Sequence, residues 1–308
     1  MQERQERRER VVAGRLPIDV AATVSPLGRG GGDPCHQRAS DGSVWHASRE
    51  ASGAVSFRLT QGAGGSARAQ AWGPGAEEFL ERLPVFFGLD EQLADFAPDH
   101  PLITEAHRRL PGLRMVRTGL VLEALVPAIL EQKVHLISAK QSWRRLVRKY
   151  GEPAPGPAPP GMLLPPSAQT WRMVPSWEFH RANVDPKRAA AIVRAARLAP
   201  RLEATAALPA AEARTVLESI PGIGEWTSAE TAQRSHGDSD ALSVGDFHLA
   251  AMVGWTLLGE PLDDAGMVEY LEPLRPHRHR AVRLLRAAGL ARKPKFGPRT
   301  PLTDHSRI

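Results

Sequence analysis

The first third of the chain alternates apolar and polar residues with the period of β-strands. Val55, Phe57 and Leu59 alternate with polar neighbours, as a strand with one buried face does. Short runs of similar character are separated by Gly/Ser turns, and the three predicted strands cover residues 43–50, 54–61 and 66–73. Because the turns between them are short, the pattern predicts an antiparallel sheet.

Beyond residue 74 the apolar positions follow the period of helices. One stripe, formed by Leu122, Leu125, Val126, Ile129 and Leu130, predicts a helix that ends near residues 131–133. The other predicted helices cover residues 76–83 with Pro84 as a stop, 101–110, 135–150, 188–198, 247–258 and 267–274. The chain is therefore predicted to change from a sheet to an all-helical region.

This change predicts an α+β protein. We expect an N-terminal antiparallel-sheet α/β domain with a flexible start over residues 1–110, and an all-α domain over residues 111–290. The segment 151–166 contains seven prolines and predicts an extended surface loop between two halves of the helical region. Residues 291–308 are predicted to form a basic C-terminal tail.

Charge and cysteine content limit the partners and cofactors. The 308 residues carry a formal charge of +6 and a pI near 10.0, which favours polyanionic partners. A single cysteine, Cys35, excludes an intrachain disulfide framework and four-thiolate ligation of an iron–sulfur cluster. Neither a signal peptide nor a run of 18 apolar residues is found, so we expect a cytoplasmic protein without a membrane partner.

The most informative stretch runs from Glu218 to Leu249. Its turn 220–224 reads IPGIG, in which the two glycines can adopt positive φ and expose bare backbone. A helix predicted to start near Glu225 would add its unpaired N–H groups, and together they suit a phosphate oxygen. The alternative is an ordinary connection between two helices with a glycine cap.

An aspartate follows this turn at the predicted start of the next helix. Asp246 precedes FHLAAMVGWTLLG, and one interpretation of it is a plain helix cap. The IPGIG turn, Trp226, Thr227 and Asp246 together resemble the helix-hairpin-helix DNA glycosylases. The resemblance implies a two-lobed all-α domain in which the hairpin binds the DNA backbone and Asp246 is catalytic. The hairpin residues that it assigns to DNA binding are Gly222, Ile223, Gly224, Glu225 and Thr227.

A second segment, AILEQKVHLISA, is similar to the helix-turn-helix of the same family. There a glutamine and its neighbour enter the gap left by the displaced nucleotide, and Gln132 and Lys133 hold those positions. Members that act on alkylated bases usually have an apolar residue at the second position, so Lys133 departs from the pattern and could contact the opposite base or a phosphate. The alternative is two polar residues at an ordinary helix end.

Within the family the chain resembles the 3-methyladenine DNA glycosylase II type. Bifunctional glycosylase/lyases have a lysine where this chain has Trp226, so a covalent imine and strand cleavage are not expected. The resemblance implies a monofunctional glycosylase for alkylated purines, with Trp226 and Phe247 stacking on the base. Glu230 and Arg286 stand where relatives have aromatic residues. This departure leaves open a different damaged base, or a weakly active or non-catalytic protein that binds DNA damage.

Partners and cofactors follow from the same resemblance. It implies damaged double-stranded DNA as the partner of a nucleoid-associated monomer, and no cofactor for catalysis. It also implies a monovalent cation, Na⁺ or K⁺, bound by the backbone carbonyls of Glu218, Ile220 and Ile223.

Overall fold

The protein combines one sheet with many helices. The computed structural model describes residues 7–91, 93 and 95–292, so the predicted basic tail lies outside the described residues from residue 293 onwards. The mixed α/β composition confirms the coarse fold class. Within those ranges no helix has both the length and the apolar character needed to cross a membrane.

The sheet has five antiparallel strands in the order β1-β5-β4-β3-β2. Phe57 of the central strand pairs with His46 on one side and Ala71 on the other, so the register places its ring on the buried face. The bounds are β1 (Arg8–Val12), β2 (His36–Arg38), β3 (Val44–Glu50), β4 (Gly53–Gln61) and β5 (Ala67–Trp72). The three predicted strands and their antiparallel pairing are confirmed, whereas β1 and β2 are additional.

Short helices cover the buried face of the sheet. They are α1 (Val20–Val24), α2 (Ala76–Glu81) and α3 (Leu83–Phe86). Phe57 stacks on Phe79 of α2 with ring centroids 3.9 Å apart, and Phe86 of α3 meets both rings edge-on. The prediction that Pro84 stops a helix was wrong in detail, because Pro84 lies in the first turn of α3, where its missing N–H costs nothing.

Twelve further helices within the described residues form the second part. They are α4 (Pro101–Arg109), α5 (Val121–Glu131), α6 (Leu136–Tyr150), α7 (Ala168–Met173), α8 (Ser176–Arg181), α9 (Pro186–Arg197), α10 (Ala199–Ala204), α11 (Ala210–Glu218), α12 (Glu225–Ser235), α13 (Leu249–Leu257), α14 (Asp264–Leu271) and α15 (Arg278–Ala287). Six of them, α4, α5, α6, α9, α13 and α14, correspond to helices whose bounds were predicted, and they agree to within a few residues.

These helices build two separate hydrophobic cores. Residues of α5 to α11 form the first, which includes the buried Leu217, Ile220 and Ile223 around the IPGIG turn. The second is formed by α4, α13, α14 and α15. Although α4 falls in the predicted first domain, its Ile103 and Ala106 are buried in this second core. The domain boundaries themselves stay a prediction.

The proline-rich segment packs against the sheet, which the sequence did not predict. Two short strands, β6 (Glu152–Pro153) and β7 (Leu163–Leu164), pair within it. Met162 and Leu164 are buried against Trp45 and Trp72, and Ser56 Oγ donates a hydrogen bond to the carbonyl of Pro155 at 2.6 Å. The segment therefore connects the sheet to the first helical core.

A buried carboxylate caps the central helix of that core. Glu203 accepts hydrogen bonds from the N–H groups of Val121 and Leu122, at 2.8 and 2.9 Å, at the start of α5. A negative charge at a helix N-terminus is favourable, because it satisfies free N–H groups and opposes the helix dipole. This contact fixes α5, which packs against α12 of the hairpin.

Candidate functional site

The hairpin between α11 and α12 has two glycines, which differ in backbone conformation and in the space around Cα. Gly222 has φ +97°, and a Cβ there would lie 3.2 Å from the Cβ of Ala191, so both conformation and packing favour glycine. Gly224 has φ −106°, so only Gly222 uses the positive φ that both glycines could adopt. A Cβ on Gly224 would meet no heavy atom within 4 Å. Packing therefore permits a side chain at Gly224, and glycine leaves the backbone of the turn bare.

The hairpin presents the start of α12 at the surface. The helix begins at Glu225, as predicted, and both Gly224 and Glu225 are exposed. Ile223 and Thr227 are buried and fix the turn from below. The N–H groups of the first turn have no partner within the helix, so they and the glycine backbone can donate hydrogen bonds to an anion.

Gln132 ties the α5–α6 turn to this hairpin. Its Nε2 donates to the carbonyl oxygen of Gly222 at 2.9 Å and to Oγ1 of Thr227 at 2.8 Å. Lys133 follows with φ +51°, an uncommon conformation for a residue other than glycine, and is exposed. The structure therefore brings the Gln132 side chain into contact with the hairpin, with Lys133 next in the chain.

Asp246 links the next helix to α12. Its Oδ1 accepts hydrogen bonds from the N–H groups of His248 and Leu249, both at 2.9 Å, at the start of α13. Its Oδ2 lies 3.3 Å from Nε1 of Trp226. Asp246 is thus a helix cap and also the partner of the half-buried Trp226. These two roles coexist because they use different carboxylate oxygens.

Phe247 lies beside this pair but points away from the core. It is 78% exposed, and its ring meets that of His248 edge-on at 4.9 Å. Phe247 is therefore not part of the hydrophobic core. The predicted helix start at Phe247 is also two residues early, since α13 begins at Leu249.

Glu230 lies one turn beyond Trp226 on α12 and is enclosed by partners. Ser243 Oγ donates to its Oε1 at 2.5 Å, and Arg234 donates to its Oε2 at 2.8 Å. Burial would raise the pKa of Glu230, but the charge of Arg234 and the bond from Ser243 outweigh it and lower the pKa to about 2. The carboxylate is ionised and paired beneath the Trp226–Asp246 contact.

Arg286 is exposed near the end of α15. Burial, followed by the charge of Arg283, lowers the pKa of His279 to about 3, and Glu230 and Arg286 also act on this imidazole. Sequence reasoning missed His279, Arg234 and Ser243 as neighbours of Glu230. The spacing of Arg234, four residues after Glu230 on one helix, was the available signal.

Some of the backbone carbonyls at the hairpin already accept hydrogen bonds within the protein. The carbonyl oxygen of Ile220 accepts the N–H of Ile223 at 3.0 Å, and the side chain of Glu218 accepts a hydrogen bond from Ser228 Oγ at 2.5 Å. A carbonyl oxygen has two lone pairs, so Ile220 retains one for a further contact. Over residues 7–91, 93 and 95–292 no group of three or more His, Cys, Asp or Glu side chains is suited to a metal ion.

A small cavity between the sheet and the helices is lined in part by Arg234, the partner of Glu230. It measures about 30 Å³ and is lined by residues that include Arg29, Asp33, Cys35, His46 and Glu123, but not Trp226 or Asp246. Such a volume holds about one water and cannot hold a purine.

Comparisons with known proteins identify the fold. No family model matches the sequence, and no curated protein matches it. A 3-methyladenine DNA glycosylase from Archaeoglobus fulgidus matches with TM-score 0.73 and 17% identity, covering 91% of this chain and 98% of that one. An 8-oxoguanine glycosylase/lyase from Clostridium acetobutylicum matches with TM-score 0.68 and 15% identity, covering 92% and 98%.

The second of these enzymes is also known bound to double-stranded DNA with cytosine opposite 8-oxoguanine, and that structure matches with TM-score 0.66 and 14% identity, covering 93% of this chain and 100% of that one. The two neighbours are named for different damaged bases, and only the second is named a lyase, so the likeness establishes the architecture only. With its hairpin, the following aspartate and the sheet that precedes them, this chain has the fold of the helix-hairpin-helix DNA glycosylases.

Proposed function

We propose that the protein is a monofunctional DNA N-glycosylase that excises alkylated purines, of the 3-methyladenine and 7-methylguanine type, as the first step of base excision repair. The observation that carries the proposal is the contact between Asp246 and Trp226 directly beside a hairpin that is tied to Gln132. The proposed catalytic carboxylate of Asp246, the hairpin suited to a phosphate and the turn at Gln132 suited to the base stack thereby lie on adjoining elements.

The chemistry follows from the position of the Asp246 carboxylate. A base inside the duplex cannot be reached, so the nucleotide must swing out towards the site, between two lobes that we infer from the two helical cores. Departure of an alkylated purine leaves a cationic, oxocarbenium-like sugar, which a fixed anion stabilises. Two backbone N–H groups hold Oδ1 of Asp246, so the charge is already oriented before the reaction and the carboxylate can also align the attacking water.

Trp226 supports hydrolysis rather than lyase chemistry. A lyase needs an amine that forms an imine with the sugar. The stretch 218–249 contains no lysine, and the indole of Trp226 donates its N–H towards Asp246. Water is therefore the proposed nucleophile.

The aromatic side chains favour a cationic base. The ring of Trp226 and the exposed ring of Phe247 flank Asp246 and can stack on an extruded purine. Stacking on a cationic base is favoured over a neutral one by ~0.5–2 kcal/mol. Because Arg234 already neutralises Glu230, that carboxylate adds little to the attraction.

A monovalent cation at the hairpin, held by the carbonyls of Glu218, Ile220 and Ile223, is part of this proposal. Oxygen ligands are those that Na⁺ and K⁺ prefer, and the remaining lone pair on Ile220 is compatible with such a site. Its role would be to bridge the hairpin to a DNA phosphate.

The test measures release of 3-methyladenine and 7-methylguanine from methylated duplex DNA. Asp246→Asn keeps an oxygen for the helix cap but removes the charge, so we expect base release to fall by at least about 100-fold. Asp263→Asn is the matched control, because Asp263 caps α14 through the N–H of Gly266 at 2.8 Å and lies outside the site. Undiminished release by Asp246→Asn, or equal loss in both variants, would refute the proposal.

A second candidate is a non-catalytic protein that binds DNA damage. Lys133 and the closed Glu230–Arg234 pair favour it, because they replace apolar and aromatic groups that the resemblance implies. Tight binding to abasic DNA by the wild-type protein, without release of any base from methylated DNA, would support this candidate.

A further inference from the structure

The segment from Lys133 to Ile137, here called the tip, directly follows Gln132, whose side chain bonds to the hairpin. Lys133, His135, Leu136 and Ile137 are all exposed. Leu136 and Ile137 open α6 with 51% and 55% of their surface exposed. Single exposed aliphatic residues are common, but two adjacent ones at a helix start place an apolar surface in water without any benefit to the core.

A row of cations continues from the tip along α6. Lys140, Arg144 and Arg148 follow Leu136 at intervals of four residues, so all four side chains lie on one face of the helix. We call the three basic residues the cationic stripe. In the part of the chain that the structure describes, none of the three pairs with an acidic side chain, so the stripe carries an uncompensated positive charge that suits a polyanion.

The glycine-rich loop 30–32 lies against this stripe. Arg144 donates to the carbonyl of Gly31 at 2.6 Å, and a Cβ on Gly30 would lie 3.2 Å from the Lys140 ammonium. The loop therefore leaves room for Lys140 and helps to hold Arg144 in place.

Gln132 sets the position of the tip relative to the hairpin. Since Gln132 bonds to Gly222 and Thr227, the tip and the hairpin adjoin on one surface. An apolar group flanked by a phosphate-binding backbone and by cations matches the order of groups in duplex DNA, where stacked bases lie between two charged strands.

We propose that Leu136 and Ile137, and not Lys133, enter the base stack of duplex DNA where the damaged nucleotide leaves it. The cationic stripe binds phosphates of the same duplex. Aliphatic side chains are the kind that proteins insert between base pairs, whereas an ammonium group would lose its hydration there. The inference rests on the proposed action on double-stranded DNA but not on the chemistry of base release.

The test compares affinities for two duplexes of one sequence, one undamaged and one with a tetrahydrofuran abasic analogue. The analogue carries no base, so failure of the proposed glycosylase chemistry does not change this measurement. We expect the wild-type protein to prefer the abasic duplex. In Leu136→Ala/Ile137→Ala this preference should fall by about tenfold or more, because the buried apolar area is lost while phosphate contacts remain.

Lys140→Gln/Arg144→Gln separates the role of the stripe. It should weaken binding to both duplexes by a similar factor and reduce the slope of log K against log salt by about one for each phosphate contact removed. Lys133→Ala should leave the preference for the abasic duplex nearly unchanged.

Met173→Ala/Trp177→Ala is the matched control, because Met173 and Trp177 are 69% and 60% exposed on α7 and α8. It should retain the wild-type preference, and thermal unfolding should show that every variant folds. The proposal is overturned if the wild-type protein shows no preference, if Lys133→Ala alone abolishes it, or if the control lowers it as much as the Leu136/Ile137 variant.

Discussion

The first and second turns of α12 hold the segment 241–246 in different ways. In the first turn a single long contact, 3.3 Å, joins Trp226 to Asp246, and Trp226 is only half-buried. In the second turn Glu230 accepts bonds from Ser243 and Arg234 at 2.5 and 2.8 Å, and the pair is about 15% exposed. We call the Trp226–Asp246 contact the open end of α12 and the Glu230–Arg234 pair its closed end. The two lie four residues apart on the helix.

Gln233 strengthens the closed end. Its Nε2 donates to the carbonyl of Ala241 at 2.9 Å and to Ser243 Oγ at 3.0 Å, and it is buried. Polar groups whose partners are all within the protein stabilise one geometry, whereas the weakly bonded end keeps capacity for a substrate. The comparison indicates that the second turn positions the loop, whereas the first turn is the part of the helix that we propose acts on the ligand.

Removing the charge of Glu230 is the strongest test of the difference between the first and second turns of α12. Glu230→Gln leaves Arg234 without its buried partner, so we expect the free energy of unfolding at pH 7 to fall by about 3 kcal/mol. The folded pKa of about 2 lies below the ordinary value of 4.5, so this stabilisation is present above pH 4.5 and is lost as pH falls towards 2. Urea unfolding at pH 7 and pH 3 measures both effects.

Glu105→Gln is the control for that variant. Hydrogen bonds from Arg108 and Arg109 also lower the pKa of Glu105 to about 2, but this group lies at the surface of α4. We expect a much smaller change in unfolding free energy than for Glu230→Gln. Equal losses of unfolding free energy in the two variants would show that the Glu230–Arg234 pair stabilises the fold no more than a surface ion pair does.

Trp226→Phe tests the open end. Phenylalanine keeps an aromatic ring but removes the N–H that faces Asp246, so we expect kcat for base release to fall about tenfold with unfolding free energy unchanged within about 0.5 kcal/mol. In an Asp246→Asn background the same change should have little further effect, because the two residues act together. A large loss of stability without a change in kcat would contradict the assignment.

Gly224→Ala tests the start of the same helix. The φ of −106° and the open space around Cα permit alanine, so folding should be unaffected. A methyl group would keep a phosphate from the N–H groups, and loss of about one hydrogen bond should weaken DNA binding about fivefold. Unchanged affinity in an anisotropy titration would mean that the bare backbone of the turn is not a contact.

The sequence predicted what depends on local spacing. The alternation around Phe57 located the central strand, and the hairpin, the start of α12 and the cap at Asp246 followed from short-range chemistry. Strand β1 could not be predicted in this way, because Arg8–Val12 pairs with β5, some sixty residues later in the chain. The packing of Met162 and Leu164 against Trp45 is non-local for the same reason.

The surroundings of the site were predicted less well than its centre. Glu230 was predicted only to replace an aromatic residue of the relatives, whereas its partners, Ser243 and Arg234, come from a loop and from the next helical turn. Whether a buried carboxylate is free or paired depends on such contacts, which spacing alone does not determine. Similarly, the exposure of Phe247 depends on where α13 begins.

The Gln132 bridge has a mechanical consequence. Because one amide bonds to both the turn and the first helical residues of the hairpin, the tip and the hairpin are held at a constant separation. If the hairpin binds a phosphate and the tip enters the base stack, as proposed, this fixed separation would let the tip reach only one base-pair step for each position of the hairpin on the DNA. The protein would then inspect the duplex one register at a time as it diffuses along the DNA.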